Sequence, residues 1–395
     1  MLNGMIGYCT NVHAGTDYAS TLANLERYTL RVKEMFSPDA PMGVGLWLPA
    51  RAARELIEQQ QVGHFALWLR ERGLVPYTIN GFPYGDFHEP EVKHRVYQPQ
   101  WDDTARFDYT VDLANILAQL LGPDLSEGSI STLPIGWRSK ANQRPMVMQQ
   151  AAANFAKLAQ QLTRIEAQTG KLIHVDIEPE PGCMIDTAGD VVRFFEDWLF
   201  AFGEEAIIRR HLRVCHDICH AAVMFEDQEQ VLHRYRAAGI AVGKVQVSSA
   251  VRANFAQFES DTERRTAMEQ LAAFNETRYL HQTMVRDGAN TIFFEDLPLA
   301  LETVKDGLPG GEWRTHFHVP LFVEQFGLLE STMDQTVACL QWVMQNQPNV
   351  VLEAETYAWN VLPDSLRNDD LADGIARELT WLRDTLANLK SARHE

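Results

Sequence analysis

The amino-acid sequence predicts an α/β protein with the fold of a (β/α)8 TIM barrel. Short apolar or β-branched runs alternate along the chain with long amphipathic segments of helical period. This alternation favours a parallel sheet, because parallel neighbours need a crossover connection. Eight such runs start at residues 5, 42, 74, 129, 172, 212, 241 and 350, and eight units suggest closure. The alternative is an open doubly wound sheet, but neither GxGxxG nor GxxxxGKS/T follows an early strand.

Each predicted strand is followed by a segment rich in helix-forming residues. In chain order the pairs are Met5–Val12 with Tyr18–Phe36, Met42–Pro49 with Ala50–Arg72, Leu74–Asn80 with Thr110–Leu121, Ser129–Gly136 with Met146–Thr169, Leu172–Glu178 with Val191–Phe202, Leu212–Asp217 with Asp227–Ala238, Ala241–Ser248 with a helix within Asp261–Phe274, and Val350–Thr356 with Leu371–Leu389. A barrel of this kind takes about 250 residues. We therefore expect one domain over residues 1–395, with a long third loop at about 81–106 and an insertion between strands seven and eight at about 276–323.

Composition and charge exclude several classes of protein. The chain has 395 residues, of which 46% are hydrophobic and 22% charged, a balance typical of globular proteins. A formal net charge of −18 would repel nucleic acid and anionic membranes, so we expect neither as a partner. The five cysteines are odd in number and scattered, which favours free thiols in a reducing compartment. No secretion signal or long apolar span is recognisable, and we predict a cytoplasmic protein without direct membrane insertion.

Polar side chains at the carboxyl ends of strands are the first candidates for function, because barrel active sites lie at that face. Strand one ends in Asn11, Val12 and His13. Asn80 ends strand three, and Trp137 follows strand four. We expect the four residues other than Val12 to contact the substrate, with Trp137 stacking on a ring. Each of them is also compatible with an ordinary turn.

Strand five carries a carboxylate to the mouth of the predicted barrel. His174, Asp176 and Glu178 share one face at period two, and prolines on both sides of Glu180 make the chain leave the sheet directly after Glu178. The pattern does not decide between Glu178 and Glu180 as the carboxylate that faces inward.

Strands six to eight add further polar residues at the same level. Asp217 ends strand six and His220 follows one turn later, a spacing at which both can face one cation. Gln246 lies on strand seven, and strand eight carries Glu353 and Glu355 on one face, with Glu355 nearer the mouth. The pattern does not decide between Glu353 and Glu355 as the carboxylate that faces inward. Acidic residues inside a barrel are costly unless they are paired or metal-bound.

Consecutive strands thus bring four candidate ligands of a divalent metal ion to one place. They are Glu178, Asp217, Gln246 and Glu355. Oxygen donors with a nearby imidazole suit such a cation. We expect Glu178, Glu355 and His220 to take part in catalysis as well.

This arrangement resembles the xylose isomerase-like barrels, which include sugar isomerases, ketose epimerases, inosose dehydratases and an apurinic endonuclease. The resemblance implies a site for Mn²⁺, Mg²⁺, Co²⁺ or Zn²⁺. More narrowly, the chain resembles the metabolite traffic protein EboE family in five blocks, which are residues 7–13, 80–85, 178–183, 217–220 and 353–357. That resemblance implies a role in biosynthesis or trafficking of a secondary metabolite or cyclitol precursor, with partners from the same operon.

One position departs from the family pattern. The strand-seven ligand of the epimerases is commonly histidine, whereas this chain has Gln246, whose amide oxygen binds transition metals more weakly than imidazole. His316 and His318, in the long insertion, are alternative ligands and candidates for substrate contact.

Two classes of function follow from these patterns. The first is a metal-dependent isomerase or epimerase acting on a small sugar, polyol or cyclitol, with dehydration or hydrolysis as related outcomes. The second is a non-catalytic carrier or scaffold that binds a metabolite in the barrel mouth.

Overall fold

A closed barrel of parallel strands forms the centre of the computed structural model, which describes residues 6–138, 140, 142–304, 307–364, 366 and 370–391. Met5, with which the first predicted strand starts, lies outside these residues. The strands in chain order are β1 Ile6–Tyr8, β2 Met42–Trp47, β3 Leu74–Asn80, β4 Glu127–Thr132, β5 Leu172–Ile177, β6 Leu212–Asp217, β7 Val242–Val247, β8 Val251–Asn254, β9 Thr283–Asp287, β10 Asn290–Phe294, β11 Glu312–Thr315, β12 Gln325–Phe326, β13 Leu329–Ser331 and β14 Val351–Ala354.

Strand order confirms the predicted (β/α)8 barrel. Eight strands of the described chain are hydrogen-bonded in the order β1-β14-β7-β6-β5-β4-β3-β2, and the pairs are parallel. A parallel bridge between Cys9 and Gly45 joins the two ends of this sheet. The doubly wound alternative is therefore wrong, because an open sheet would leave β1 and β2 at opposite edges.

Helices cover the outside of the barrel and also occur in the region inserted before its last strand. They are α1 Tyr18–Asn24, α2 Leu30–Phe36, α3 Ala50–Glu58, α4 Val62–Glu71, α5 Thr104–Leu120, α6 Arg144–Thr169, α7 Ala188–Arg193, α8 Glu205–His211, α9 Ile218–Val223, α10 Gln228–Ala237, α11 Asp261–Ala272, α12 Leu297–Glu302, α13 Met333–Asn346 and α14 Leu371–Ser391. The helix predicted over Ala50–Arg72 is broken, because Gln60 adopts a positive φ of 55° between α3 and α4. No helix of the described residues is long and apolar enough to cross a membrane.

A second sheet is inserted between β7 and β14. Its strands run in the order β10-β9-β11-β8-β13-β12, and their pairs are antiparallel. The insertion predicted at 276–323 lies within this region, which begins earlier, directly after β7. The helix predicted within Asp261–Phe274 is α11 and belongs to the inserted region, whereas the helix that leads into β14 is α13, which was not predicted. That the whole chain is one domain stays a prediction.

The barrel interior holds an ion pair below the mouth. Lys244 Nζ lies 2.5 Å from Glu353 Oε2, and both side chains are inaccessible to solvent. Gly45 leaves the space for this carboxylate, since a Cβ at Gly45 would lie 1.2 Å from Glu353 Oε1. The two carboxylates of the eighth barrel strand therefore have different surroundings. Glu353 is paired inside the barrel, whereas Glu355 lies at the mouth.

Candidate metal and active site

A cavity of about 70 Å³ lies at the carboxyl ends of the barrel strands. Its polar side chains come from the barrel, from the long third loop and from the inserted region, and they include Asn11, Asn80, Lys93, Glu178, Glu180, His220, His316, His318 and Glu355. Its main apolar side chains are Phe82, Phe87, Tyr97, Tyr279, Leu280 and Tyr357. An apolar lining with a few convergent polar groups is typical of small-molecule sites.

Three carboxylates from β5, β6 and β14 converge beside this cavity. One oxygen from each of Glu178, Asp217 and Glu355 lies within 4.8 Å of the other two. All three side chains are buried, and Glu178 Oε2 and Asp217 Oδ2 have no hydrogen-bond partner. Burial, Glu355 and Asp217 raise the pKa of Glu178 well above its ordinary value, and burial, Asp217 and Glu353 raise the pKa of Glu355 to about 8. Buried carboxylates that repel one another in this way fit a divalent cation.

Two imidazoles present a free nitrogen to the same carboxylates. His318 Nδ1 lies 2.7 Å from the Glu355 carbonyl oxygen, and His220 Nδ1 lies 2.8 Å from the Pro179 carbonyl oxygen. Since a carbonyl only accepts, each Nδ1 donates and each Nε2 carries a lone pair, as in histidine ligands of metals. Both Nε2 atoms lie 3.8 Å from Asp217 Oδ2. Burial raises the pKa of Asp217, whereas the positive charge that His220 and His318 carry when protonated, together with the hydrogen bond from Ser248, brings it below its ordinary value.

Two asparagines orient Glu355. Asn11 Nδ2 and Asn80 Nδ2 donate to Glu355 Oε1 over 2.7 and 3.0 Å. Both asparagines also line the cavity, where we predict contact with the substrate. The structure therefore adds a positioning role to these two residues, because donors on Oε1 leave Oε2 available to a cation or substrate.

Glu178 and Glu180 both line the cavity, but they have different neighbours. Glu178 belongs to the carboxylate group described above. Glu180 Oε1 accepts hydrogen bonds from Tyr97 Oη at 2.7 Å and Gln282 Nε2 at 2.9 Å. The prolines that flank Glu180 thus direct the two carboxylates to separate parts of one site.

Gln246 lies beside Asp217 in the parallel pairing of β6 and β7. Its side chain is buried, and neither atom of its amide group has a hydrogen-bond partner. A buried amide without partners is rare, which fits a bound ion or water nearby. Gln246 is not among the residues that line the cavity.

Two of the predicted substrate-binding residues lie outside the cavity lining. His13 Nε2 hydrogen-bonds Tyr8 Oη over 2.8 Å, and its ring stacks on Tyr28 with centroids 4.8 Å apart. Trp137 packs behind the cavity, with its ring 5.1 Å from that of Tyr97. Direct contact of either residue with a substrate would need a rearrangement of these neighbours.

Sequence reasoning did not find Tyr97 and Gln282, which hold Glu180. Tyr97 lies in the loop after β3, and Gln282 directly precedes β9. Tyr97 lies far along that loop and Gln282 lies in the inserted region, so a rule that considers residues directly at the ends of barrel strands does not identify them. From the sequence, Tyr357 belongs only to residues 353–357, one of the blocks that resemble the EboE family, and it was given no role in the site.

Three solved structures illustrate what the fold is similar to. One is a xylose isomerase-like TIM barrel protein from Mycobacterium smegmatis in complex with magnesium, at 11% identity and a TM-score of 0.48, covering 98% of this chain and 97% of that chain. Another is the IOLI protein with a zinc atom, at 10% identity and a TM-score of 0.47, covering 98% and 99%. The third is the probable 3-DHS dehydratase AsbF from Bacillus anthracis, at 12% identity and a TM-score of 0.46, covering 96% and 98%.

Likenesses at this level of identity do not bear on the activity of this chain. No protein-family profile and no curated protein matches its sequence. Strand order and site geometry define the class of protein on their own, as a (β/α)8 barrel with a buried carboxylate and imidazole cluster at the carboxyl ends of its strands.

Proposed function

We propose that this chain is a divalent-metal-dependent isomerase or epimerase of the xylose isomerase-like type, acting on a small sugar, polyol or cyclitol. The observation that carries this proposal is the convergence of Glu178, Asp217 and Glu355 within 4.8 Å, beside a cavity partly lined by aromatic rings. A carrier needs a pocket but has no use for a group of buried carboxylates.

Glu178, Asp217 and Glu355 would hold the metal, with Gln246 or His318 as a further ligand. A bound divalent ion would polarise a carbonyl or hydroxyl oxygen of the substrate. Either Glu178 or Glu355 removes the proton from the carbon next to that oxygen, and the other carboxylate returns a proton to the opposite face. His220 is a further candidate for moving the hydroxyl proton, because it also lines the cavity.

The apolar lining supports a ring-shaped substrate. Phe87, Tyr279 and Tyr357 form one aromatic group, with the Phe87 and Tyr279 centroids 4.9 Å apart and the Tyr279 and Tyr357 centroids 5.1 Å apart. Such rings pack against the C–H face of a sugar or cyclitol while the polar groups bind its hydroxyls.

Narrower parts of the proposal rest on the sequence resemblance. They are membership of the EboE family, a pathway for a secondary metabolite and partners from the same operon. We also propose a cytoplasmic location, because the five scattered cysteines favour a reducing compartment. The net charge of −18 supports a small-molecule substrate over nucleic acid.

Hydrogen exchange at carbon tests the proposed reaction. The Mn²⁺-loaded protein is incubated in D₂O with a panel of ketoses and cyclitols, and deuterium incorporation is followed by NMR. We expect exchange in at least one compound, and we expect Glu178→Gln and Glu355→Gln to slow it by about 10²–10⁴-fold, as is typical of a lost general base. Glu259→Gln, on an exposed side chain, is the matched control.

Other results of the exchange experiment would favour a different base or a different function. Exchange that persists undiminished in both Glu178→Gln and Glu355→Gln contradicts the assignment of the base. Release of water from a substrate identifies a dehydratase on the same barrel. Binding without exchange or turnover of any compound supports the carrier function instead.

A further inference from the structure

A second cavity, of about 460 Å³, lies at the amino ends of the barrel strands, opposite to the mouth. Residues from the first halves of β4, β5, β6, β7 and β14 line it, together with the segment between α13 and β14. Its hydrogen-bonding side chains include Glu127, His174, Arg213, Gln347 and Asn349. The volume lies within the range that is typical of small-molecule sites.

His174 is the buried polar side chain of this lining, with 1% of the side chain exposed. Its Nδ1 lies 2.6 Å from Asp176 Oδ1, and Ser129 Oγ donates to Asp176 Oδ2 over 2.6 Å. An ionised carboxylate only accepts, so Nδ1 donates to it and Nε2 is left for another partner. Within the described residues Nε2 makes no hydrogen bond, although Glu127 Oε1 lies 3.4 Å from it.

The barrel leaves space for this imidazole. A Cβ at Gly243 on β7 would lie 2.7 Å from His174 Cε1 and 2.3 Å from Asp176 Oδ1. Branched apolar side chains usually fill the interior of such barrels. A buried group of Ser129, Asp176 and His174 with one nitrogen unused is costly by comparison, unless a further partner binds that nitrogen.

Two more side chains of the lining have a polar atom without a partner. Arg213 Nε and Gln347 Oε1 are buried and have no hydrogen-bond partner among the described residues. Arg213 Nη1 donates to Glu127 Oε1 over 2.6 Å. Buried polar atoms without partners are rare in proteins. A guanidinium, an amide and an imidazole, each with hydrogen-bonding capacity left over, therefore meet at one cavity.

The charges of these groups indicate the kind of ligand. Arg213 is paired with Glu127, and His174 is paired with Asp176. An ionised ligand would therefore bring a charge that no free group balances. A hydroxyl group both donates and accepts, so it can bind the amide oxygen of Gln347 as well as the guanidinium of Arg213.

We propose that this cavity binds an uncharged polyhydroxy compound, a sugar or a polyol, through His174, Arg213 and Gln347. The site is separate from the mouth, because His174 and Glu178 are four residues apart on one extended segment, a length of about 13 Å. The inference goes beyond the proposed function and does not depend on a metal ion.

Ligand-observed NMR on the chelator-treated full chain tests this site. The probes are D-glucose, D-xylose, D-sorbitol and myo-inositol, and titration gives the dissociation constant of each. We expect at least one probe to bind, and we expect Arg213→Met to weaken its binding by about 10-fold or more, because a charged donor is lost. Asn349→Trp fills the cavity from an exposed position and should abolish binding, which keeps the test valid if Arg213→Met does not fold.

The matched controls are Arg51→Met, on an exposed and paired arginine, and Asn115→Trp, on an exposed asparagine, and both should bind as the wild type does. Glu355→Gln changes the mouth and should also leave this binding unchanged. Binding that is lost in Glu355→Gln but kept in Asn349→Trp would assign the probe to the mouth, which overturns this inference and leaves the proposed function intact. No binding of any probe overturns it as well, and tighter binding of citrate or phosphate than of every probe overturns the assignment to an uncharged ligand.

Discussion

At the scale of single residues, hydrogen bonds hold Glu355 and Glu180 mainly through one carboxylate oxygen each, and the other oxygen of Glu180 accepts only from the Cys183 thiol, whose sulfur lies 3.9 Å away. Glu355 Oε1 accepts hydrogen bonds from Asn11 and Asn80, and Glu180 Oε1 accepts from Tyr97 and Gln282. Donors that fix a ligand in this way typically set both its orientation and its affinity for metal. Hence residues that do not themselves need to touch a metal are expected to control how strongly it binds.

We expect Asn11→Ala and Asn80→Ala each to weaken Mn²⁺ binding by about 10–100-fold, because Glu355 would lose a donor that orients it. Isothermal titration calorimetry measures the affinity. Asn115→Ala is a suitable control, since the side chain of Asn115 is exposed and donates only to the Val111 carbonyl of its own helix. Unchanged affinity in both variants would show that Glu355 is not a ligand or does not need these donors.

Gly45 has a packing role that depends on the buried ion pair. A Cβ at this position would meet Glu353 Oε1 at 1.2 Å, and Glu353 cannot move without leaving Lys244. We expect Gly45→Ala to lower the free energy of unfolding by more than about 3 kcal/mol, as broken buried ion pairs do. The control is Gly63→Ala in α4, where a Cβ meets no atom within 4 Å and the change should raise stability by up to about 1 kcal/mol. Urea denaturation of both variants distinguishes these outcomes.

At the scale of secondary-structure elements, Glu378 ties the last helix to the segment after β14. Its carboxylate accepts hydrogen bonds from the backbone N–H of Leu321, the hydroxyl of Thr356 and the indole of Trp359. Burial raises the pKa of Glu378 to about 7 although these three donors lower it. The protonated form is therefore favoured in the folded state relative to the unfolded chain.

This shift predicts a pH dependence of stability. Because the folded-state pKa of Glu378 lies above its ordinary value of 4.5, the stabilising contribution is complete below pH 4.5 and is lost as the pH rises through 7. For this buried group the loss is about 3 kcal/mol. Glu378→Gln should remove this contribution to the slope of unfolding free energy between pH 5 and pH 8, whereas the exposed Glu26→Gln should keep it. Equal slopes in wild type and Glu378→Gln would contradict the prediction.

At the scale of the whole molecule, the long third loop and the inserted region meet above the barrel mouth. The Arg278 carbonyl accepts hydrogen bonds from the backbone N–H groups of Val92 and Lys93, and Tyr279 Oη donates to the Phe87 carbonyl. His316 and His318 reach the site from the same inserted region. Bound metal would therefore join the inserted region to the barrel strands that carry the carboxylates.

We expect removal of metal to speed proteolysis of residues 276–323, because the imidazoles of His316 and His318 would no longer anchor this region. Limited trypsin digestion with and without Mn²⁺ measures the rate of cleavage. In the double variant His316→Gln and His318→Gln the difference between the two conditions should disappear, whereas His64→Gln should keep it. A cleavage rate independent of metal in the wild type would contradict this prediction.

The sequence by itself determined the eight barrel strands and the carboxylates at their ends. Strands that are buried on both faces appear in the sequence as short apolar runs, and parallel neighbours need a helix between them. Eight such alternating units therefore predict that the sheet closes into a barrel. The carboxyl ends of parallel strands meet at one face, which is why Glu178, Asp217 and Glu355 were predicted to converge.

Only the tertiary structure decided how these groups are used. Asn11 and Asn80 are 344 and 275 residues away from Glu355, a distance over which no local pattern predicts a hydrogen bond. The inserted sheet consists of short antiparallel strands that have no helix between most of them, so it lacks the periodicity that revealed the barrel. For the same reason the positions of His318 beside Asp217, and of His316 and Gln282 beside Glu180, follow from long-range packing and not from the sequence around them.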